Sequence, residues 1–180
     1  MAPAPAAPRD VVEDLGPVQL ARFTPEDVAD VHAFASDPLV CAHTTWGPNT
    51  PEDTRDFVAQ ACRPVPGTVL HAVVRADRVI GSASVWTTSA ADGCGEMGYV
   101  LHRDHWGRGY ATLVARALLR IGFDELGLAR VAATCAPANA ASVRVLEKAG
   151  LVREGLLRGD RLVRGARRDS LVLSRLSTDG

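Results

Sequence analysis

The sequence has almost no lysine, no closely paired cysteines and no long apolar run, and each absence excludes a class of protein. Lys148 is the only lysine among 20 basic residues, which face 21 acidic ones, so the formal net charge is −1. A chain this close to neutral gives no global reason to expect nucleic acid or an anionic membrane surface as a partner. No apolar run reaches the ~18 residues that a membrane helix needs. We therefore expect neither nucleic acid nor a membrane among its partners.

The four cysteines, Cys41, Cys62, Cys94 and Cys135, form no Cys-x-x-Cys pair, and no histidines complete a zinc spacing. They are expected to be small buried side chains in a reducing compartment, rather than metal ligands or nucleophiles. The start, MAPAPAAPRD, has neither the basic nor the apolar region of a secretory signal. We therefore expect a cytoplasmic protein without a metal site, with a mobile Ala/Pro-rich tail over residues 1–17.

Residues 18–176 predict one domain that mixes strands and helices. A chain of 180 residues can bury a single substantial core. The sequence Thr-Pro-Glu-Asp occurs at Thr24 and at Thr50, where an N-cap precedes a proline at the first helical position. Alternating apolar residues predict three consecutive strands that end near His102. With later helices from about Tyr110 and Asn139, the predicted order is β-α-α-β-β-β-α-β-α-β-β, which is an α/β fold.

The segment HRDHWGRGYATLVARALL, residues 102–119, places Gly107 and Gly109 between a strand and a helix. The first amides of a helix lack intrahelical partners, and the helix dipole favours negative charge there. With Arg108 adding positive charge, the segment predicts an anion site; the alternative is a loop whose glycines only turn the chain. No Gly-Lys-Ser/Thr follows, which excludes a Walker loop. Thr112 replaces the third glycine of a dinucleotide fingerprint, which excludes that motif too.

The stretch WGRGYA, residues 106–111, resembles the acyl-CoA pyrophosphate loop of the GNAT superfamily of N-acetyltransferases, written Q/R-x-x-G-x-G/A. Gly109 stands at its invariant position and Ala111 at its last. Trp106 departs from the general pattern, but a tryptophan there is typical of the branch that contains the RimJ/RimL ribosomal-protein N-acetyltransferases. GEMGYVLHRDHWGRGYAT, PANAASVRVLEKAGLVREG and the earlier SDPLV…WGP…E resemble that branch's signatures in the same order. The resemblance covers residues 18–176 and implies a GNAT-like, mixed and mostly antiparallel central sheet flanked by helices.

The resemblance also implies acetyl-CoA as co-substrate and a surface that binds it. Backbone groups of residues 99–101 would pair with the pantetheine arm like an added strand. Amides of residues 107–112 would hold the pyrophosphate. Asn139 would contact the pantetheine, although a helix N-cap explains this asparagine equally well. The predicted cofactor-binding residues are Tyr99, Val100, Leu101, Trp106, Gly107, Arg108, Gly109, Tyr110, Ala111, Thr112, Asn139 and Ser142.

Direct N-acetylation needs a neutral amine and a proton for the departing thiolate, and it needs no cysteine nucleophile. Glu96 matches an acid that family members carry and that is often proposed as their base; a solvent-facing strand residue is the alternative. Many relatives carry an acidic tyrosine seven residues after the asparagine, but here that residue is Leu146, which cannot donate a proton. The resemblance then favours Ser142 as the acid, with helix packing or a backbone bond as its alternative. Tyr99 and Tyr110 are further candidates.

Trp46 and Trp86 are candidate walls of a substrate pocket, with core packing as the alternative. The segment 151–175 carries seven arginines against three acids. It is either a solvated hairpin or a contact for the 3′-phosphate of CoA or for an acidic substrate. The expected acceptor is a primary amine on a protein N-terminus, an amino acid, or a small metabolite or antibiotic, and a homodimer is compatible with this reading. The rival hypothesis is a non-catalytic acyl-CoA-binding or sensing module.

Overall fold

Eight strands and four helices follow one another within residues 9–179, which are the residues that the computed structural model describes. The predicted order is confirmed, with one further strand ahead of it. The strands are β1 (Val11–Asp14), β2 (Gln19–Ala21), β3 (Thr68–Arg75), β4 (Arg78–Ser89), β5 (Cys94–Leu101), β6 (Arg130–Cys135), β7 (Val152–Val163) and β8 (Ala166–Leu176). The helices are α1 (Val28–Ala35), α2 (Pro51–Ala61), α3 (Tyr110–Arg120) and α4 (Ala140–Lys148).

The additional strand corrects the predicted N-terminal tail. Residues 1–17 were expected to be mobile, but β1 pairs antiparallel with β2, from Val11 opposite Ala21 to Asp14 opposite Gln19. An ion pair of 2.5 Å between Arg120 and Glu13 also joins β1 to α3. The prediction is wrong here because the sequence Val-Val-Glu-Asp does not alternate apolar and polar residues, so it carries no strand pattern. Residues 1–8 of the predicted tail lie outside the described residues.

The sheet has the strand order β1-β2-β3-β4-β5-β6-β8-β7, and all neighbours are antiparallel except β5 and β6, which are parallel. One face carries Ala72 and Val74 against α1 and α2. The opposite face carries Val85 and Met97 against α3 and α4. The prediction of a mixed, mostly antiparallel sheet flanked by helices is therefore confirmed. Within the described residues, no helix is long and apolar enough to cross a membrane.

The helices begin in two different ways. The Thr50 side chain accepts a hydrogen bond from the Asp53 amide at the start of α2, and Asn139 does the same for the Ser142 amide at the start of α4. By contrast, α3 begins after Gly109 without a side-chain cap. Since the first amides of a helix need partners, this bare helix start suits an external anion.

Candidate active site

The two parallel strands at the centre of the sheet separate and leave one edge of β5 open. Their pairing runs only from Cys94 opposite Arg130 to Glu96 opposite Ala132. Beyond that point β6 pairs with β8, whereas residues 97–101 have β4 on one side and, within residues 9–179, no strand on the other. An unpaired edge presents backbone donors and acceptors to an extended ligand. The structure thus forms a fork, with Glu96 at its apex.

A cleft of about 1810 Å³ opens at this fork. We call its two parts the loop half (residues 99–101, 106–112 and 139–142) and the pocket half (residues 39–49, parts of α2, the open face of the sheet and the β7–β8 hairpin). Every residue predicted to form the site lines the cleft except Arg108, which lies exposed beside it. Those that line it are Trp46, Trp86, Glu96, Tyr99, Val100, Leu101, Trp106, Gly107, Gly109, Tyr110, Ala111, Thr112, Asn139 and Ser142.

The loop half depends on the backbone conformation of its glycines. Gly107 has φ = 72° and Gly109 has φ = 80°, in the left-handed region that other residues rarely adopt. A Cβ at either position would meet nothing within 4 Å, so the space above the amides is open. The Trp106 indole Nε1 donates to the Leu101 carbonyl over 2.8 Å and ties this loop to the end of β5. That structural contact explains the tryptophan, and sequence reasoning did not find it.

Asn139, Ser142 and Tyr99 meet at the start of α4. The Asn139 side chain accepts from the Ser142 amide at 3.1 Å, so the N-cap explanation of this asparagine is confirmed. The Ser142 hydroxyl lies 3.1 Å from the Tyr99 hydroxyl. Burial raises the pKa of Tyr99 to about 12, and the hydrogen bond to Ser142 opposes this rise only in part. The phenol therefore keeps its proton at neutral pH and can serve as a hydrogen-bond donor.

Glu96 is oriented across the fork by a residue that the sequence analysis did not identify. Thr134, on β6, donates its hydroxyl to the Glu96 carboxylate over 3.1 Å. Trp86 stands directly opposite Glu96 in the β4–β5 register, so both side chains leave the sheet on the same face. The Trp86 ring covers Gly98, with ring atoms 3.9 Å from where a Cβ would stand. Trp86 therefore lines the cleft, partly buried, instead of joining the core.

The pocket half combines apolar side chains, such as Phe57 and Leu70, with charged side chains of both signs. Trp46, 41% exposed, stands in its outer wall. Arg161 and Arg168 of the arginine-rich segment face each other in the β7–β8 register, and both line the cleft. The hairpin predicted for this segment is confirmed, and it contributes to the pocket. Acidic and hydroxyl side chains complete the lining: Asp53, Asp56, Asp169, Ser82, Ser84, Thr134 and Ser170.

The four cysteines differ in how deeply they are buried. Cys41 is buried as predicted, but Cys62 is exposed, so the expectation of burial is wrong there. Cys135 lies partly buried in the lining of the cleft, and burial raises the pKa of its thiol. Such a thiol stays protonated, which does not favour a nucleophile. No group of three or more His, Cys, Asp or Glu residues within 9–179 is arranged to hold a metal ion.

Comparison with known proteins agrees with this architecture. A family model described as "Acetyltransferase (GNAT) domain" matches residues 18–152. The uncharacterized N-acetyltransferase YnaD of Bacillus subtilis is 30% identical over 139 residues, which are 77% of this chain and 81% of that protein. The uncharacterized N-acetyltransferase p20 of Bacillus licheniformis is 34% identical over 107 residues, which are 59% of this chain and 60% of p20.

Solved structures show the same fold. A GNAT-family acetyltransferase from Bacillus anthracis superposes with a TM-score of 0.82 at 28% identity, covering 93% of this chain and 99% of that one. A ribosomal-protein-S5-alanine acetyltransferase from Vibrio fischeri has a TM-score of 0.77 at 22% identity, with 94% and 98% covered. The fork, the glycine loop and these similarities lead to one conclusion: the chain belongs to the GNAT family and is an acetyl-CoA-dependent N-acetyltransferase.

Proposed function

We propose that this enzyme acetylates a primary amine of low basicity by direct transfer, with Glu96 as general base and a Ser142–Tyr99 pair as proton donor. The observation that carries the proposal is the position of Glu96. Its carboxylate lies at the apex of the fork, is held by Thr134, and stands beside Trp86 in the pocket half. An amine bound in the pocket half would therefore meet a base where the two halves of the cleft join.

The loop half fits acetyl-CoA as the co-substrate. The open edge of residues 97–101 offers an extended ligand the backbone pairing of an added strand. Gly107 and Gly109 leave bare amides ahead of an uncapped helix, which suits a pyrophosphate. Arg108, exposed beside the loop, adds positive charge. The predicted cofactor residues thus form one continuous surface from β5 to α3 and α4.

The proton transfers follow from the side chains on the two sides of the fork. The neutral amine nitrogen attacks the thioester carbonyl carbon, and Glu96 accepts the proton that this nitrogen must lose. When the carbon–sulfur bond breaks, Ser142 gives its proton to the sulfur while its oxygen accepts the hydrogen bond of the Tyr99 hydroxyl, and Ser142 regains a proton through Tyr99 from water. The pKa of about 12 keeps the Tyr99 phenol protonated at neutral pH, so its hydroxyl is present to hydrogen-bond Ser142. This pair supplies the donor that Leu146 cannot provide.

A low-basicity acceptor is favoured by the energy needed to make an amine neutral. An α-amine has a pKa of about 7.7–8.0 and a lysine side chain one near 10.4, which differ by roughly 3–4 kcal/mol in deprotonation. With Glu96 as the one base assigned, an α-amine of a peptide, an amino acid or a small metabolite is the easier substrate. The tryptophan at position 106 and the likeness to a ribosomal-protein-S5-alanine acetyltransferase support a place in the RimJ/RimL-like branch.

The test pairs two amines that differ mainly in basicity. Purified protein is incubated with acetyl-CoA and either alanine amide, an α-amine, or Nα-acetyl-lysine amide, an ε-amine, and both CoA thiol and acetylated product are measured. We expect product and thiol in equal amounts, formed faster with the α-amine. Faster reaction with the ε-amine would overturn the α-amine preference. Binding of acetyl-CoA without product from any amine, over a wider panel, would support the non-catalytic rival.

A further inference from the structure

Arg164, at the tip of the β7–β8 hairpin, binds the loop that carries Trp46. The two hydrogens of its Nη2 are shared among three carbonyl oxygens, of Cys41 at 2.9 Å, Trp46 at 3.1 Å and Gly47 at 2.8 Å. A planar guanidinium is suited to such multiple contacts because its donors are fixed in direction. One side chain therefore joins two segments that are more than a hundred residues apart in sequence.

The backbone at the hairpin tip favours a residue other than arginine. Arg164 and Gly165 connect the paired residues Val163 and Ala166 and have φ of 49° and 79°. Two-residue hairpin turns with both φ values positive favour asparagine, aspartate or glycine at the first position. Arginine gains nothing from this local geometry. Its contacts with the loop carbonyls give the side chain a role that the turn itself does not require.

Both segments joined by Arg164 form the wall of the pocket half. The loop contributes Trp46 and its neighbours, and the hairpin contributes Arg161, Val163 and Arg168. Arg164 itself does not line the cleft, so it acts through the loop and not on a bound molecule.

A second contact holds the start of the same loop. Asp37 forms an ion pair of 3.1 Å with Arg103, in the turn that precedes the glycine segment. The loop is thus attached to the turn before the glycine segment through Asp37 and to the hairpin mainly through Arg164, with one longer contact of 3.4 Å from Arg168 Nη1 to the Ala42 carbonyl. Loss of the Arg164 contacts would leave the Trp46 end held by the Arg168 contact and by the Asn49 amide, which donates to the Ala35 carbonyl at 2.9 Å. This end would therefore be more mobile while the glycine segment stays in place.

We propose that Arg164 is a positioning residue that holds residues 39–49 against the β7–β8 hairpin and so sets the shape of the acceptor pocket. The identity of the bound molecule as an amine rests on the proposed function. The mechanical role of Arg164 rests only on the contacts described above. The inference predicts that binding of the amine depends on Arg164 and binding of acetyl-CoA does not.

The most informative variant is Arg164→Asn, because asparagine suits the turn but is too short to reach the three carbonyl oxygens. We expect the KM for alanine amide to rise about 3- to 10-fold, as for the loss of a hydrogen-bonded contact. We expect the KM for acetyl-CoA and the Tm to stay near the wild-type values. Amide hydrogen exchange in residues 39–47 should become faster, since these amides belong to the released loop.

A matched control exists in the β3–β4 hairpin, where Ala76 and Asp77 also have positive φ, of 47° and 59°. Ala76→Asn makes the same kind of turn replacement away from the cleft and should leave both KM values and the exchange of residues 39–47 unchanged. An Arg164→Asn enzyme with wild-type amine KM and wild-type exchange would overturn the inference while the proposed function stands. If no amine is acetylated, the proposed function fails, and the exchange measurement still decides whether Arg164 holds the loop.

Discussion

The loop half and the pocket half of the cleft are built from different parts of the polypeptide. The loop half uses backbone: an open strand edge, two left-handed glycines and a helix start without a side-chain cap. The pocket half uses side chains from the sheet, from α2, from the Trp46 loop and from the β7–β8 hairpin. Under the proposed function, backbone groups would bind the parts common to every acyl-CoA, whereas side chains would select the acceptor. Changes in the two halves should therefore affect different kinetic constants.

The largest expected loss of activity follows a change at Glu96, where the loop half and the pocket half meet. Glu96→Gln keeps the shape and the hydrogen bond from Thr134 but removes the base, so kcat should fall about 10²- to 10⁴-fold. Steady-state rates with alanine amide measure this, together with the KM for acetyl-CoA, which should stay unchanged. Glu52→Gln, an exposed position on α2, is the matched control. Unchanged turnover in Glu96→Gln would remove this residue from the mechanism.

The second-largest expected effect is on the KM for acetyl-CoA and comes from a change confined to the loop half. Gly109→Ala forces a side chain into the left-handed region at a cost of about 1–2 kcal/mol, so the KM for acetyl-CoA should rise roughly 5- to 30-fold. Gly16 has nearly the same conformation, with φ = 87° and nothing within 4 Å of a Cβ, and it lies outside the cleft. Gly16→Ala should strain the chain equally without changing this KM. An equal KM in both variants would mean that the loop's glycines serve only its turn.

A smaller effect distinguishes the Ser142–Tyr99 pair from two independent groups. Tyr99→Phe removes one hydrogen bond and should lower kcat about 2- to 10-fold with the KM for alanine amide unchanged. Ser142→Ala should lower kcat at least as much, and the double variant should fall no further than Ser142→Ala. If the kcat of the double variant fell by the product of the two single reductions, the two hydroxyls would act independently and not in series.

The smallest expected effect is on the pH dependence of stability, and it comes from His71, which lies outside both halves of the cleft. Burial lowers the pKa of His71, with the Arg22 charge acting in the same direction, and its Nδ1 has no hydrogen-bond partner among the described residues. The His71 imidazole therefore binds a proton less readily in the folded protein than in the unfolded chain, where it is protonated near pH 6.5. Stability should fall as the pH drops below about 6.5, until the folded-state pKa is passed. Urea unfolding at several pH values should show a shallower fall in His71→Gln; parallel curves would contradict this.

Much of the loop half could be predicted from the sequence because its information is local. Gly107 and Gly109, the following helix and Asn139 lie in short stretches whose spacing reflects backbone geometry. Contacts between distant segments carry no such pattern. Tyr99 and Ser142 are 43 residues apart and Glu96 and Thr134 are 38, so only the folded sheet brings them together. β1 was missed for a local reason instead, because Val-Val-Glu-Asp shows no alternation.

The pocket half was predicted least well. Trp46 and Trp86 were identified by size and by neighbouring glycine and proline, but nothing local shows which wall they form. Arg164 lay within an arginine-rich segment, where its charge did not stand out. Its role follows from backbone carbonyls 117 to 123 residues away, which no side-chain pattern encodes.

The most direct test of the account is a calorimetric titration of the purified protein with acetyl-CoA in moderate salt, performed on the wild type and on Glu96→Gln. We expect one-to-one, micromolar binding that is the same for both proteins, because in the proposed mechanism the backbone of the loop half holds acetyl-CoA and Glu96 acts on the amine. No binding by the wild type would mean that the Gly-Arg-Gly segment is only a turn. Weaker binding by Glu96→Gln would mean that the two halves are not separate.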